Sequence, residues 1–173
     1  MAVESSNRIV NKIVIRGRIE DIWRELTKQG EPQAAIFNAW LHAQKLAPGT
    51  TLQMRTGDGK FVLVIGKVLE FNPPNRFAHT FRFTQYDEPE CTVIYELKPL
   101  DDGVEVSLIV DNVPVGSRTA KDMVGGSTMI LNTLKAVVET GQPAFGTRLM
   151  YWFMDRLTFV LPKRCRAEAW PLT

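Results

Sequence analysis

His79 and Tyr95 are the residues whose type and setting best suit chemistry. In the run Phe77-Ala78-His79-Thr80-Phe81-Arg82-Phe83, strict alternation places Phe77, His79, Phe81 and Phe83 on one face of a strand. Tyr95 shares a face of the following strand with Val93 and Leu97. An imidazole and a phenol on apolar faces serve as polar handles for a buried guest, as an acid/base pair, or as core groups satisfied internally. The residues alone leave all three open. His42 is the other histidine, and no carboxylate or cysteine stands at metal-ligand spacing from either, so no metal is expected. Cys91 and Cys165 fall in no paired spacing and read as reduced, structural thiols. There is no nucleophile elbow, phosphate loop or dinucleotide fingerprint, and Gly125-Gly126-Ser127 lacks the strand that must precede a phosphate-cradling turn. No catalytic residue is assigned and no cofactor is expected.

The elements that must position these side chains follow from periodicity. Ile9, Val10, Ile13, Val14 and Ile15 mark a strand over about Arg8 to Arg16, partly buried on both faces. Ile19, Ile22, Trp23 and Leu26 line one side of a short helix over about Glu20 to Lys28, which turns Trp23 inward. Ile36, Phe37, Trp40 and Leu41 repeat that spacing and predict a second helix over about Pro32 to Gln44. Leu52 and Met54 then alternate into a Gly57-Asp58-Gly59 reversal, and the long strand after it carries Gly66, where a bulge or bend is expected. Three more strand runs, through Phe77 to Phe83, Val93 to Leu97 and Val104 to Val110, follow. Ser117 caps a helical segment that the Gly125-Gly126 pair is expected to loosen or kink, and Ile130, Leu131, Leu134, Val137 and Val138 form an apolar stripe up to Gly141.

That order describes an α+β helix-grip fold, a curved antiparallel sheet wrapped around a long C-terminal helix, which readily encloses a cavity. The domain spans 8–141, and 142–173 forms a helical extension and basic tail packed on it. Trp23, Trp40, His79, Phe81, Tyr95 and Ile130 are the candidate lining residues, although the aromatics fit an ordinary core equally well. Between Pro143 and Pro162 lies an apolar run, read as about four helical turns, with Arg148, Tyr151, Asp155 and Thr158 in a polar stripe. It is too short and too charged to span a bilayer. It must cover the domain's own sheet, a cavity mouth, a twin subunit or a membrane surface, the first being the commonest use of such a stripe.

With 173 residues, 45% hydrophobic, the chain suffices for one core, and 21 basic against 19 acidic residues give a formal net charge of +2 with no footprint for nucleic acid. Lys163, Arg164 and Arg166 form a short basic cluster that reads as solvated. The polar start, Met1 to Arg8, contains no leader or integral membrane segment, and a cytoplasmic location is the default.

The stretch Gly66-Lys67-Val68-Leu69-Glu70-Phe71-Asn72-Pro73-Pro74-Asn75-Arg76-Phe77 resembles the signature turn of the family named after activators of the heat-shock chaperone ATPase. Val93-Ile94-Tyr95-Glu96-Leu97 with Asp102-Gly103-Val104-Glu105-Val106-Ser107-Leu108 resembles its next hairpin, and Ile22-Trp23 matches its early tryptophan. The likeness covers about Arg8 to Gly141 and places the chain in the START and pollen-allergen-like helix-grip superfamily. It implies a deep hydrophobic cavity between sheet and final helix, used across the superfamily for lipids, polyketides and hormones. Many members carry a tryptophan just after the helix-opening glycine; Ser127 and Thr128 stand here instead and imply a larger cavity. The leading expectation is binding of a small apolar or amphipathic ligand. The alternative is a co-chaperone-like interaction module, with a chaperone or homodimer contact through 146–161, and the third is a cyclase or hydrolase working in the same cavity.

Overall fold

Alternation along β1 (Ile9–Ile15) turns Ile9, Asn11, Ile13 and Ile15 inward and leaves Val10 and Val14 exposed, so this strand is covered on one face only. The computed structural model describes residues 7–173; the polar start read above, Met1 to Ser6, lies outside the described residues. After α1 (Ile19–Thr27) come β2 (Pro32–Gln33), β3 (Ala39–Ala43), β4 (Thr51–Arg55), β5 (Val62–Asn72), β6 (Arg76–Phe83), β7 (Cys91–Leu100) and β8 (Gly103–Asp111). These strands form one sheet in the order β1-β8-β7-β6-β5-β4-β3-β2, antiparallel throughout. Two helices follow, α2 (Arg118–Thr140) and α3 (Phe145–Arg156), and then short 3-10 turns.

The predicted second helix is corrected to two strands. Phe37 and Asn38 take positive φ, 51° and 57°, which reverses the chain instead of continuing a helix. Trp40, Leu41, His42 and Ala43 then pair with Arg55, Met54, Gln53 and Leu52. The side chains permit both readings, because Ala39 and Leu41 also alternate at a period of two. Pairing wins because it covers the otherwise open edge of β4.

The sheet curls at β5. Its register with β6 shifts by one residue between Val68 and Glu70, and Lys67 donates its backbone N–H to the Thr80 hydroxyl at 2.9 Å. Gly66 is packed so closely on β6 that a Cβ there would lie 2.0 Å from the Thr80 carbonyl oxygen. Inside the curl, Phe77, Val93, Tyr95, Leu97, Val106 and Leu108 are buried against Leu131 and Leu134 of α2. Trp23 joins Phe71 and Phe77 in an aromatic cluster, with centroids 5.4 and 6.5 Å away.

The Ser117 Oγ accepts from the Ala120 N–H at 2.9 Å, and Gly141, at φ 84°, closes α2 onto the Val137 carbonyl. Between those caps α2 runs unbroken through Gly125-Gly126, where loosening was expected. The sheet below and Phe37, whose ring lies against Gly126, hold the helix where local propensity is weakest.

The C-terminal run is helical only over α3 and orients opposite to expectation. Its buried residue is Tyr151, from the supposed polar stripe, whose hydroxyl donates to the Ala34 carbonyl at 2.8 Å. Phe145, Leu149, Trp152 and Phe153 are exposed. Beyond it the tail is fastened to the β4–β5 hairpin. Ala167 N–H donates to the Lys60 carbonyl at 2.8 Å, Gln53 Nε2 to the Trp170 carbonyl at 2.7 Å, and Phe61 bridges Arg166.

Gly66→Ala tests the curl. The added methyl forces β5 away from Thr80, and denaturant unfolding is expected to show a loss of roughly 2–4 kcal/mol. A loss below about 0.5 kcal/mol, the range of ordinary surface substitutions, contradicts the close approach.

Candidate functional site

Between the curled sheet and α2 lies a cavity of about 530 Å³. Val64, Phe81, Phe83 and Leu108 line it from the sheet, and Met123 and Ile130 from the helix. The loop between β6 and β7 frames its mouth and is stapled to the start of α2. There the Glu88 carboxylate accepts from the Arg118 and Thr119 N–H groups at 3.0 and 2.9 Å, while Tyr86 donates to Asp122 at 2.7 Å. A carboxylate at a helix N-terminus meets unsatisfied donors and the positive end of the macrodipole. The Thr119 hydrogen bonds hold the Glu88 pKa below its usual value.

Of the six candidate residues, the structure brings His79, Phe81, Tyr95 and Ile130 together around this space. Trp23 is part of the Phe71–Phe77 cluster, and Trp40 is half-buried on β3 opposite Pro32 and Arg55; neither borders the cavity. Sequence reasoning missed Phe37, because it was read as helical. It also missed Met154, Leu161 and Cys165, which come from the C-terminal segment and have no nearby motif to announce them.

His79 is fully buried, its ring between Phe77 and Phe81 with centroids 5.1 and 6.4 Å away. Its Nδ1 lies 2.7 Å from the Thr80 carbonyl oxygen. A carbonyl only accepts, so Nδ1 carries the proton. Burial, opposed by that bond, holds the pKa down at about 4, and the ring is therefore neutral at physiological pH. Nε2, across the ring, is then a bare acceptor, and it has no partner among the described residues.

Tyr95 pairs with Phe77 as His79 pairs with Val93, which makes Tyr95 and His79 diagonal neighbours at roughly 7–8 Å between backbones. Burial alone raises the Tyr95 phenol above its ordinary range, and no group among the described residues bonds its hydroxyl. Ser127, in contrast, is occupied: its hydroxyl accepts from Asn11 Nδ2 at 2.7 Å and lies 3.3 Å from the Val124 carbonyl. His79 and Tyr95 thus stand in a largely apolar wall, the first with an unpartnered ring nitrogen and the second with a neutral phenol. A base of such low pKa is weak at neutral pH, and no group of three or more His, Cys, Asp or Glu among the described residues could hold a metal.

The family model described as activator of Hsp90 ATPase homolog 1-like protein matches residues 17–139. The chain belongs to that family. The match ends just before Gly141, so the segment that brings Met154, Leu161 and Cys165 to the cavity lies outside it. No curated protein matches the chain. Three solved structures of the family's fold are similar at low identity. DynU16, from the dynemicin biosynthetic locus, is 19% identical with a TM-score of 0.65 over 80% of this chain, which spans only 49% of DynU16. CalU16 from Micromonospora echinospora is 17% identical, with a TM-score of 0.61 over 89% of this chain and 87% of its own. The Aha1 dimer from Colwellia psychrerythraea is 16% identical, with a TM-score of 0.60 over 78% and 97%. At these identities the likeness establishes the helix-grip fold that the sheet-then-helix order predicts.

The His79 environment has a pH signature. Its folded-state pKa, about 4, lies below the ordinary 6.5, so the unfolded chain binds the extra proton between those values. Stability is expected to be full above about pH 6.5 and to fall as the pH drops toward 4, by about 3 kcal/mol in all. Denaturant titrations across that range should show this slope in the wild type and not in His79→Leu; equal slopes refute the buried, neutral imidazole.

Proposed function

We propose that this protein binds a small, largely apolar molecule carrying at least one hydrogen-bond donor, held between the sheet and α2. The observation that carries the reading is the buried, unpartnered Nε2 of His79 beside an apolar cavity large enough for a drug-sized guest. A buried acceptor without a partner costs roughly 1–3 kcal/mol, and a guest hydroxyl or amide N–H directed at Nε2 removes that cost. Hydrocarbon contact with Phe81, Phe83, Ile130 and Met123 supplies affinity, about 2.5 kcal/mol for each 100 Å² of apolar surface taken from water. The Tyr95 hydroxyl gives a second point of orientation. Binding fits this pair better than acid/base catalysis, because burial moves both pKa values away from 7 and each group stays neutral at physiological pH.

Native mass spectrometry of the purified protein is expected to detect a co-purifying small molecule, which then serves as ligand in calorimetry. Phe81→Ala should weaken it by more than about tenfold through lost contact. His79→Leu should weaken it by about tenfold while leaving an analogue without the donor unaffected. An empty protein that also fails to take up an apolar fluorescent probe, or equal losses for both ligands in His79→Leu, removes this reading.

A further inference from the structure

The segment 145–161 carries an apolar face that the rest of the molecule leaves uncovered. On α3, Phe145, Leu149, Trp152 and Phe153 follow the i, i+4, i+7, i+8 spacing of one helix face, and all four are exposed, Phe145 by 76%. Phe159 and Val160, 75% and 65% exposed, extend it through the next turn. The domain itself is no candidate to cover this face, because α3 already meets it through Tyr151 on the other side.

The charges of the segment decide among the remaining occupants. From 145 onward, Arg148, Arg156, Lys163, Arg164 and Arg166 stand against Asp155 and Glu168. Arg156 lies within the apolar face, its guanidinium 4.1 Å from the Trp152 ring centroid. Among the described residues no ion pair joins Arg148, Arg156 or Lys163 to a carboxylate. A second copy laid face to face on this surface would bury two Arg156 side chains and bring four further cations from each copy against only Asp155 and Glu168 of each, an excess of like charge. A lipid surface with anionic headgroups satisfies both features. Aromatic and aliphatic side chains enter the acyl boundary, and arginine and lysine reach back to phosphate.

We propose that the outward face of α3 and the turn after it dock the protein on an anionic membrane surface. The helix lies in the interface; no helix among the described residues is long and apolar enough to cross a membrane. Met154 and Leu161 belong to the same segment and line the cavity, so docking brings that side of the cavity to the lipid. The proposal goes beyond the ligand reading, since vesicle binding requires no guest in the cavity, and either can fail alone.

The test is co-sedimentation of the full chain with phosphatidylcholine vesicles, with and without a quarter of phosphatidylglycerol. Binding to the mixed vesicles is expected to exceed binding to the neutral ones by at least about tenfold and to weaken with salt. Arg156→Ala with Lys163→Ala should lower it by about twenty-five-fold, roughly fivefold per charge. Brominated acyl chains should quench the tryptophan emission, and Trp152→Phe, which preserves the apolar face, should abolish that quenching. The proposal is overturned by no binding to the mixed vesicles, by equal binding to both, or by quenching that persists in Trp152→Phe. A dimer in analytical ultracentrifugation that Trp152→Ser dissolves, in a protein that ignores vesicles, overturns it in favour of a second copy.

Discussion

Polar ties hold α2 to the margin of the sheet at β1. Asn11 reaches Ser127, Lys135 Nζ donates to the Val14 carbonyl at 2.6 Å, and just past the strand the Arg16 N–H donates to Glu139 at 2.8 Å. No hydrogen bond among the described residues ties α2 to β5 or β6. The helix therefore leans on one side of a sheet that curls away on the other, and the space beneath it follows from that asymmetry. The curl depends on Gly66, where a side chain would collide with β6, and on the one-residue shift that follows it. Leu131 and Leu134 fill the near side with ordinary core packing; the far side is left to Phe81, Phe83 and the methionines.

Within that space, backbone geometry sets the chemical state of the polar groups. Because Thr80 holds Nδ1, the tautomer of His79 is fixed, and because the ring is desolvated it resists protonation. The result is an acceptor of constant character over the physiological range, which suits recognition more than proton transfer. Tyr95 is kept neutral by the same desolvation. Similar low-identity structures share the fold, and the C-terminal part of the cavity wall comes from residues beyond the family match.

Much of this was legible from the chain. Period-two alternation placed Phe77, His79 and Phe81 inward, Gly66 marked the bend, and the caps at Ser117 and Gly141 bounded the long helix. What failed has physical causes. Ile36, Phe37, Trp40 and Leu41 carry a helical spacing, but positive φ at Phe37 and Asn38 is not written in their side chains and is enforced by the sheet edge that needed a partner. Trp23 looked like lining because it points inward, yet inward at that corner means the Phe71–Phe77 cluster. For the C-terminal run, periodicity identified two faces but not which one meets the domain. The structure turns Tyr151 inward, its hydroxyl bonded to a loop carbonyl, and leaves Phe145, Leu149, Trp152 and Phe153 outward.

The fastened tail has a mechanical consequence. The chain from Gly141 to Arg166 is fixed at one end by the long helix and at the other by the Lys60, Phe61 and Gln53 attachments to the hairpin, with Tyr151 as a rivet between. A span clamped at both ends differs from a hinged gate. It is braced as an arch is, and bowing leaves intact the hairpin bonds that swinging outward would break.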